Sequence, residues 1–397
     1  MIVSLSTGSA STPSPAKSST AHTAPKPRGE RMRVHHGVPV GYPRTQAGAK
    51  AAAANYTTVR GSVSFLLNKN ARHRAATVMA ADAAASTATK KADHAVGQAV
   101  GALRGDNAKV HPQQALARTG VLSAHVLGFD TNKAMIRLWT TTVRGSAAGH
   151  STPKTAFQAV TVTLTWESND WKFRDSSSTS GLVAPIDARQ TSNVTSDFSG
   201  YVPGAAKDPV LSGATGEDGF PAGYERSERG ARAAATSAAM LYGDPRFFTD
   251  DNWRHKMLAA TAAPSVLGTV RSDADSTAQL VVENRGLGGD GKTTDGGELV
   301  TRTAALATRS VSYSDHAASI ELWTASVGGI AGKDETQRPQ IAYLRMTVDL
   351  TWTDGTWKTT AVTPSEPLVP SPPAAEEAAP ADSFVDVGGA SNAPAFA

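Results

Sequence analysis

GYPRTQAGAKAAAANY at residues 41 to 56 and GYERSERGARAAATSA at residues 223 to 238 are two versions of one segment. They align without gaps at an offset of 182 and retain Gly, Tyr, Arg, Gly-Ala and Ala-Ala-Ala. The same offset sets Phe65 on Phe247, and Asn70, Arg72, His73 and Arg74 on Asn252, Arg254, His255 and Lys256. At an offset of 184, IRLWT (136 to 140) meets IELWT (320 to 324), and at 186, TVTLTWESNDWK (161 to 172) meets TVDLTWTDGTWK (347 to 358). The drift needs only two small insertions, so the chain reads as a duplication of one domain, the feature on which any fold assignment must rest.

Both copies carry the same order of signals. Thr45 and Ser227 are N-cap residue types in front of alanine-rich runs, which predicts helices over 46–60 and 228–242. Asn68 and Asp250 are caps for a second helix bearing the Arg-His pair. Further helix is expected over 75–103 in the first copy; in the second it breaks at Pro264 and resumes near Ser276 to Asn284. Strands follow. Val160, Val162, Leu164 and Trp166 alternate with threonines, as Leu344, Met346, Val348, Leu350 and Trp352 alternate with polar residues. That period of two predicts one buried face, with Trp166 and Trp352 in the core, and one face wet or partly covered. Turns at 167–170 and 353–356 make the last two strands a hairpin, and 121–129 with 134–143 make an earlier one, mirrored by 305–313 and 318–327. Helices followed by an antiparallel sheet of about four strands is an α+β architecture.

The expected domains are a basic Ser/Thr/Pro-rich spacer (1–36), copy one (37–186), a linker (187–218), copy two (219–370) and an acidic tail (371–397). Lys17, Lys26, Arg28, Arg31 and Arg33 against Glu30 give the spacer its charge; Glu376, Glu377, Asp382 and Asp386 give the tail its own. Cysteine is absent, which excludes disulfides, thiolate metal sites and a cysteine nucleophile. No stretch approaches the roughly 18 to 20 apolar residues of a membrane span, and no signal-peptide core follows Met1. The chain as written reads as soluble, and any membrane association is expected through an anchor outside it.

GLGGDGKT at 286 to 293 matches G-x-x-x-x-G-K-[ST], but Thr294-Asp295-Gly296-Gly297 follow it and break a helix where a phosphate loop must open one. The stretch is expected to be a connector. Arg72, His73, Arg254 and His255 are the repeated ionisable pair of the helical half, and they stand as partner-binding candidates beside the plainer reading of hydrogen-bonded structural histidines. No catalytic, cofactor or metal set is singled out; His35 and His36, being adjacent, are expected to point apart. The tryptophan pairs lack the basic stripe of a nucleic-acid platform, so no nucleic-acid partner is expected.

The order of helix, helix and long antiparallel strands resembles the nuclear transport factor 2-like cone fold. Two tandem copies behind a Ser/Thr/Pro spacer resemble the extracytoplasmic part of conjugation-apparatus proteins of Gram-positive plasmids, which are related in fold to the inner-membrane assembly factor of type IV secretion. The openings VPVGYPRTQAGAKAAAANY and PAGYERSERGARAAATSA are also similar to those of an uncharacterised actinobacterial family. The resemblance spans about 37–186 and 219–370. It implies a non-enzymatic scaffold or adaptor outside the membrane, with other protein subunits or a second copy as partners and no cofactor. The alternative is an isomerase- or dehydratase-like enzyme, or a binder of small apolar ligands, using the cone.

Overall fold

The structure, a computed structural model, describes residues 33–100, 115–146, 154–180, 202–203, 214–215, 221–332, 334–337 and 339–365. The expected acidic tail lies outside the described residues, as do most of the spacer and linker. Within the spacer, β1 (Arg33–His35) pairs with β2 (Val38–Val40). Within the linker, β7 (Val202–Pro203) and β8 (Ala214–Thr215) are described; β8 pairs with β9 (Pro221–Ala222).

Local cap chemistry sets the helices. In α1 (Gln46–Arg60) and α5 (Glu228–Leu241), the first turn is held by Thr45 accepting from Gly48 N and Ser227 accepting from Gly230 N, each at 3.0 Å. Gly48 and Gly230 are required because the chain doubles back: a Cβ there would lie 2.0 Å from the Pro43 or Glu225 carbonyl oxygen. The alanine run follows from burial on every side, with Ala51 to Ala54 and Ala233 to Ala235 all in the core, where small side chains let helix and sheet approach closely. Short α2 (Val63–Leu67) and α6 (Arg246–Thr249) lead into α3 (Lys69–Met79) and α7 (Asp251–Thr261), capped by Asn68 and Asp250 as expected. The last helices are α4 (Asp82–Val100) and α8 (Leu267–Arg285). The continuous helix expected from residue 75 is thus two helices, broken where Ala80 bridges to Phe173, and its counterpart resumes at Leu267, well before Ser276, because the break at Pro264 is a single turn.

Both units are α+β, helices followed by a four-stranded antiparallel sheet. Strands β3 (Ala115–Phe129), β4 (Lys133–Ser146), β5 (Lys154–Glu167) and β6 (Asp170–Ser180) pair in chain order. In the second unit β10 (Glu298–Tyr313), β11 (Ala317–Ala331), β12 (Gln340–Thr353) and β13 (Thr356–Ser365) do the same, with β7 added beside β10. Ser168-Asn169 and Asp354-Gly355 take positive φ at both turn positions, the two-residue geometry that matches strand twist. Bulges repeat as well: Val121/Ser123 and Val126/Gly128 correspond to Ala305/Ala307 and Ser310/Ser312. Each bends its strand and changes which side chain faces which layer.

Helices cover one face of each sheet. The units meet on the other face, which is partly covered as expected: its residues at the junction are buried, while Met135 is exposed and Thr161, Thr163, Thr347 and Asp349 are half-buried. Leu116, Leu122, Trp139, Val143 and Phe157 pack in one layer with Val300, Leu306, Trp323, Val327 and Tyr343. These are the same positions in the two copies, offset by 184 for four pairs and 186 for the last. A surface that meets its own counterpart is isologous, the geometry of a two-fold homodimer, here contained in one chain.

Candidate functional site

The Arg-His pairs sit on α3 and α7, and the structure gives each pair a third member from the next helix. Arg72 Nε donates to Asp93 Oδ1 at 2.7 Å, and His73 Nε2 lies 2.8 Å from Asp93 Oδ2. Arg254 Nε donates to Asp275 Oδ1 at 2.8 Å, and His255 Nε2 lies 2.8 Å from the same oxygen. Because an ionised carboxylate only accepts, Nε2 carries the proton in both histidines. The arginine also looks backward. Arg72 Nη1 donates to the Phe65 and Leu66 carbonyls at 3.0 and 3.3 Å, and Arg254 Nη1 to the Phe247 carbonyl at 2.9 Å. Those carbonyls end short helices and have no partner within them. One buried guanidinium therefore ties three helices together, with the histidine closing the carboxylate from outside.

Electrostatics follow from this geometry. Hydrogen bonds from His73 and then Arg72 hold Asp93 below the usual carboxylate range. At Asp275 burial works the other way, but hydrogen bonds from Arg254 and His255, with their charges, outweigh it and lower the carboxyl. The aspartates were absent from the sequence reading, although Asp93 and Asp275 stand at the same offset of 182 as the Arg-His pairs.

The tryptophan pairs need a correction. Trp166 and Trp352, expected in the core, are only partly buried, and the fully buried indoles are their cross-strand neighbours Trp171 and Trp357. The rings meet edge to face with centroids 5.3 and 5.4 Å apart. The strand ends there, so the outer ring lies at the rim. Trp171 Nε1 donates to the Pro43 carbonyl at 3.0 Å and Trp357 Nε1 to the Glu225 carbonyl at 2.9 Å, which anchors the chain entering α1 and α5. Arg44 and Arg226 lie over Trp166 and Trp352, each 5.5 Å from the ring centre. Their Nε atoms donate to the Thr131 and Asp315 carbonyls in the β3–β4 and β10–β11 turns.

The remaining sequence candidates fall as follows. Gly286 to Thr293 follows the C-terminus of α8 and leads into β10, and Lys292 pairs with Glu298 at 2.7 Å, so the stretch does not open a helix as a phosphate loop must. His35 and His36 do not point apart: Gly37 and a positive φ at His36 turn the chain, and their rings stack 4.4 Å apart. Among the described residues, no three His, Asp or Glu side chains could hold a metal ion together, and no helix is long and apolar enough to cross a membrane. In the first unit's core Tyr42, Tyr56 and Asp170 form a polar cluster that sequence reasoning missed. Tyr56 Oη donates to the Trp171 carbonyl at 2.6 Å, while Asp170 accepts from the backbone N–H groups of Tyr42 and Trp171 at 3.0 Å each. Burial raises both phenols well above their ordinary value.

No family model matches this chain, and no curated protein matches it. Among solved structures the chain is similar to an Ntf2-like protein involved in plasmid conjugation, at 8% identity over 80% of this chain and 96% of that one, with a TM-score of 0.19. A score that low is a weak likeness and carries no weight beyond itself.

Proposed function

We propose that the chain is a non-enzymatic scaffold or adaptor of an envelope-associated complex, with conjugative transfer as its setting by the resemblance noted in the sequence. One observation supports this above others: the residues retained in both copies serve the frame. Arg44 and Arg226 fasten hairpins, Gly48 and Gly230 admit a close chain crossing, Arg72 and Arg254 tie helices, and Trp139 and Trp323 fill the layer between units. The rival reading, an enzyme or an apolar-ligand binder, needs polar groups converging on an open pocket. Tyr56 and Asp170, the polar groups that come nearest to this, are already bonded to backbone.

Photo-reactive residues at exposed Leu127 and Val311, which occupy equivalent bulged positions, test the proposal in the source cell. Cross-links to envelope proteins, with a loss of plasmid transfer when the gene is deleted, are expected. Unchanged transfer together with cross-links confined to cytoplasmic metabolic enzymes would overturn it.

A further inference from the structure

Arg118 and Arg302 hold the same position in the first strand of each sheet, offset by 184. Each donates Nη1 to the carbonyl of the residue before it, Ala117 at 2.8 Å and Thr301 at 2.6 Å. Both are buried, with 8% and 1% of their surface exposed. Burial lowers each to about 10, so both remain charged at neutral pH. A buried cation is costly unless an anion accompanies it.

The second unit supplies that anion. Asp244, fully buried on the turn after α5, acts on Arg302 through its charge, and Arg246 holds the carboxylate with Nε at 3.0 Å and Nη2 at 2.8 Å. The turn lies directly on β10, since a Cβ on Gly243 would fall 2.3 Å from Thr303 N. The first unit repeats the packing: a Cβ on Gly61 would fall 1.9 Å from Thr119 Oγ1. Yet the counterparts of Asp244 and Arg246 are Ser62 and Ser64. The Ser62 hydroxyl is already engaged with Phe65 N and the Val59 carbonyl. Arg118 is left with an unpartnered buried Nε and no ion pair among the described residues.

We propose that Arg118 forms a site for an oxyanion, the phosphate or carboxylate group of a small ligand, in the place that the Asp244 carboxylate fills in the second unit. A guanidinium fork matches both groups in shape and charge.

Thermal unfolding and calorimetric titration of the full chain, against chloride at equal ionic strength, test this with inorganic phosphate and acetate in separate arms. A saturable rise in Tm with one of them is expected, and the responsive anion identifies the ligand class. Arg118→Met should weaken that binding by roughly tenfold or more. Ser62→Asp, which installs the missing carboxylate and remains a good helix cap, should raise Tm in anion-free buffer and abolish the response. Should Arg118→Met fail to fold, Ser62→Asp still decides. No saturable response to either anion, or a response that survives Ser62→Asp, overturns the proposal.

Discussion

The Tyr343 hydroxyl lies 3.1 Å from the Thr141 hydroxyl across the layer between the two sheets. Their counterparts are Phe157 and Ala325, so a bond that two-fold packing would make twice is made once. Burial pushes Tyr343 up to about 12, while the hydrogen bond with Thr141 pulls the other way, and the phenol stays a neutral donor. Tyr343→Phe removes one partner and leaves a buried threonine hydroxyl unsatisfied, with an expected loss of about 1 to 3 kcal/mol. Urea denaturation measures it, and an unchanged midpoint would place the two hydroxyls in water.

Trp171→Ala and Trp357→Ala should each cost about 3 to 5 kcal/mol, from lost burial and the cavity left behind. Trp166→Ala and Trp352→Ala, at the partly exposed rim, should cost less than half as much. Equal losses for inner and outer rings, measured by the same denaturation, would reverse the assignment of which indole is core.

The clamp aspartates make stability depend on acid. Both carboxyls are held below their usual value of about 3.9, so their contribution is complete above that pH and is lost as pH falls through the lower folded values. Tm should decline from about pH 5 to pH 3 less steeply in an Asp93→Asn, Asp275→Asn double variant than in the parent. Parallel profiles would remove the clamps from the account.

Gly120 sits on the two-fold of the layer, where a Cβ would come 2.9 Å from Leu306 Cδ2 and 3.1 Å from Ala304 Cβ. Gly120→Val should overpack the junction by about 1 to 3 kcal/mol. Calorimetry is expected to show one cooperative transition for the parent and a broadened or split one for the variant. A variant trace identical to the parent's would mean that the units do not meet along this face.

Lys292→Ala breaks only an exposed pair with Glu298, whose hydrogen bond and charge raise the lysine's pKa. Tm should stay where it is, since exposed pairs contribute little. A large loss would give the 286–293 loop a structural role it lacks here.

What the sequence disclosed was whatever is decided within a few residues. Thr45, Asn68, Ser227 and Asp250 could be named as caps because a cap bonds three residues ahead, and the turns at 168–169 and 354–355 because a two-residue loop demands its own chemistry. Alternation in β5 and β12 separated two faces but could not say that one end of the second would be covered by another sheet. Trp139 shows the difficulty: in IRLWT it stands out of phase with Ile136 and Leu138, and only the partner sheet explains why. Asp93 and Asp275 escaped notice because α4 and α8 share little else, and one acid beside others, Asp82 on α4 and Asp273 and Glu283 on α8, is no signal until its arginine is known to be buried.

Joining the two halves covalently has a further effect. A homodimer built on this layer would dissociate on dilution, and any change at its axis would appear on both sides together. In one chain the halves meet at a concentration fixed by the tether, whatever the amount of protein in the cell. Each side is also free to vary alone, as Tyr343 has against Phe157 and Asp244 against Ser62. Fusion thus turns a symmetric contact into two addresses that a partner is able to tell apart.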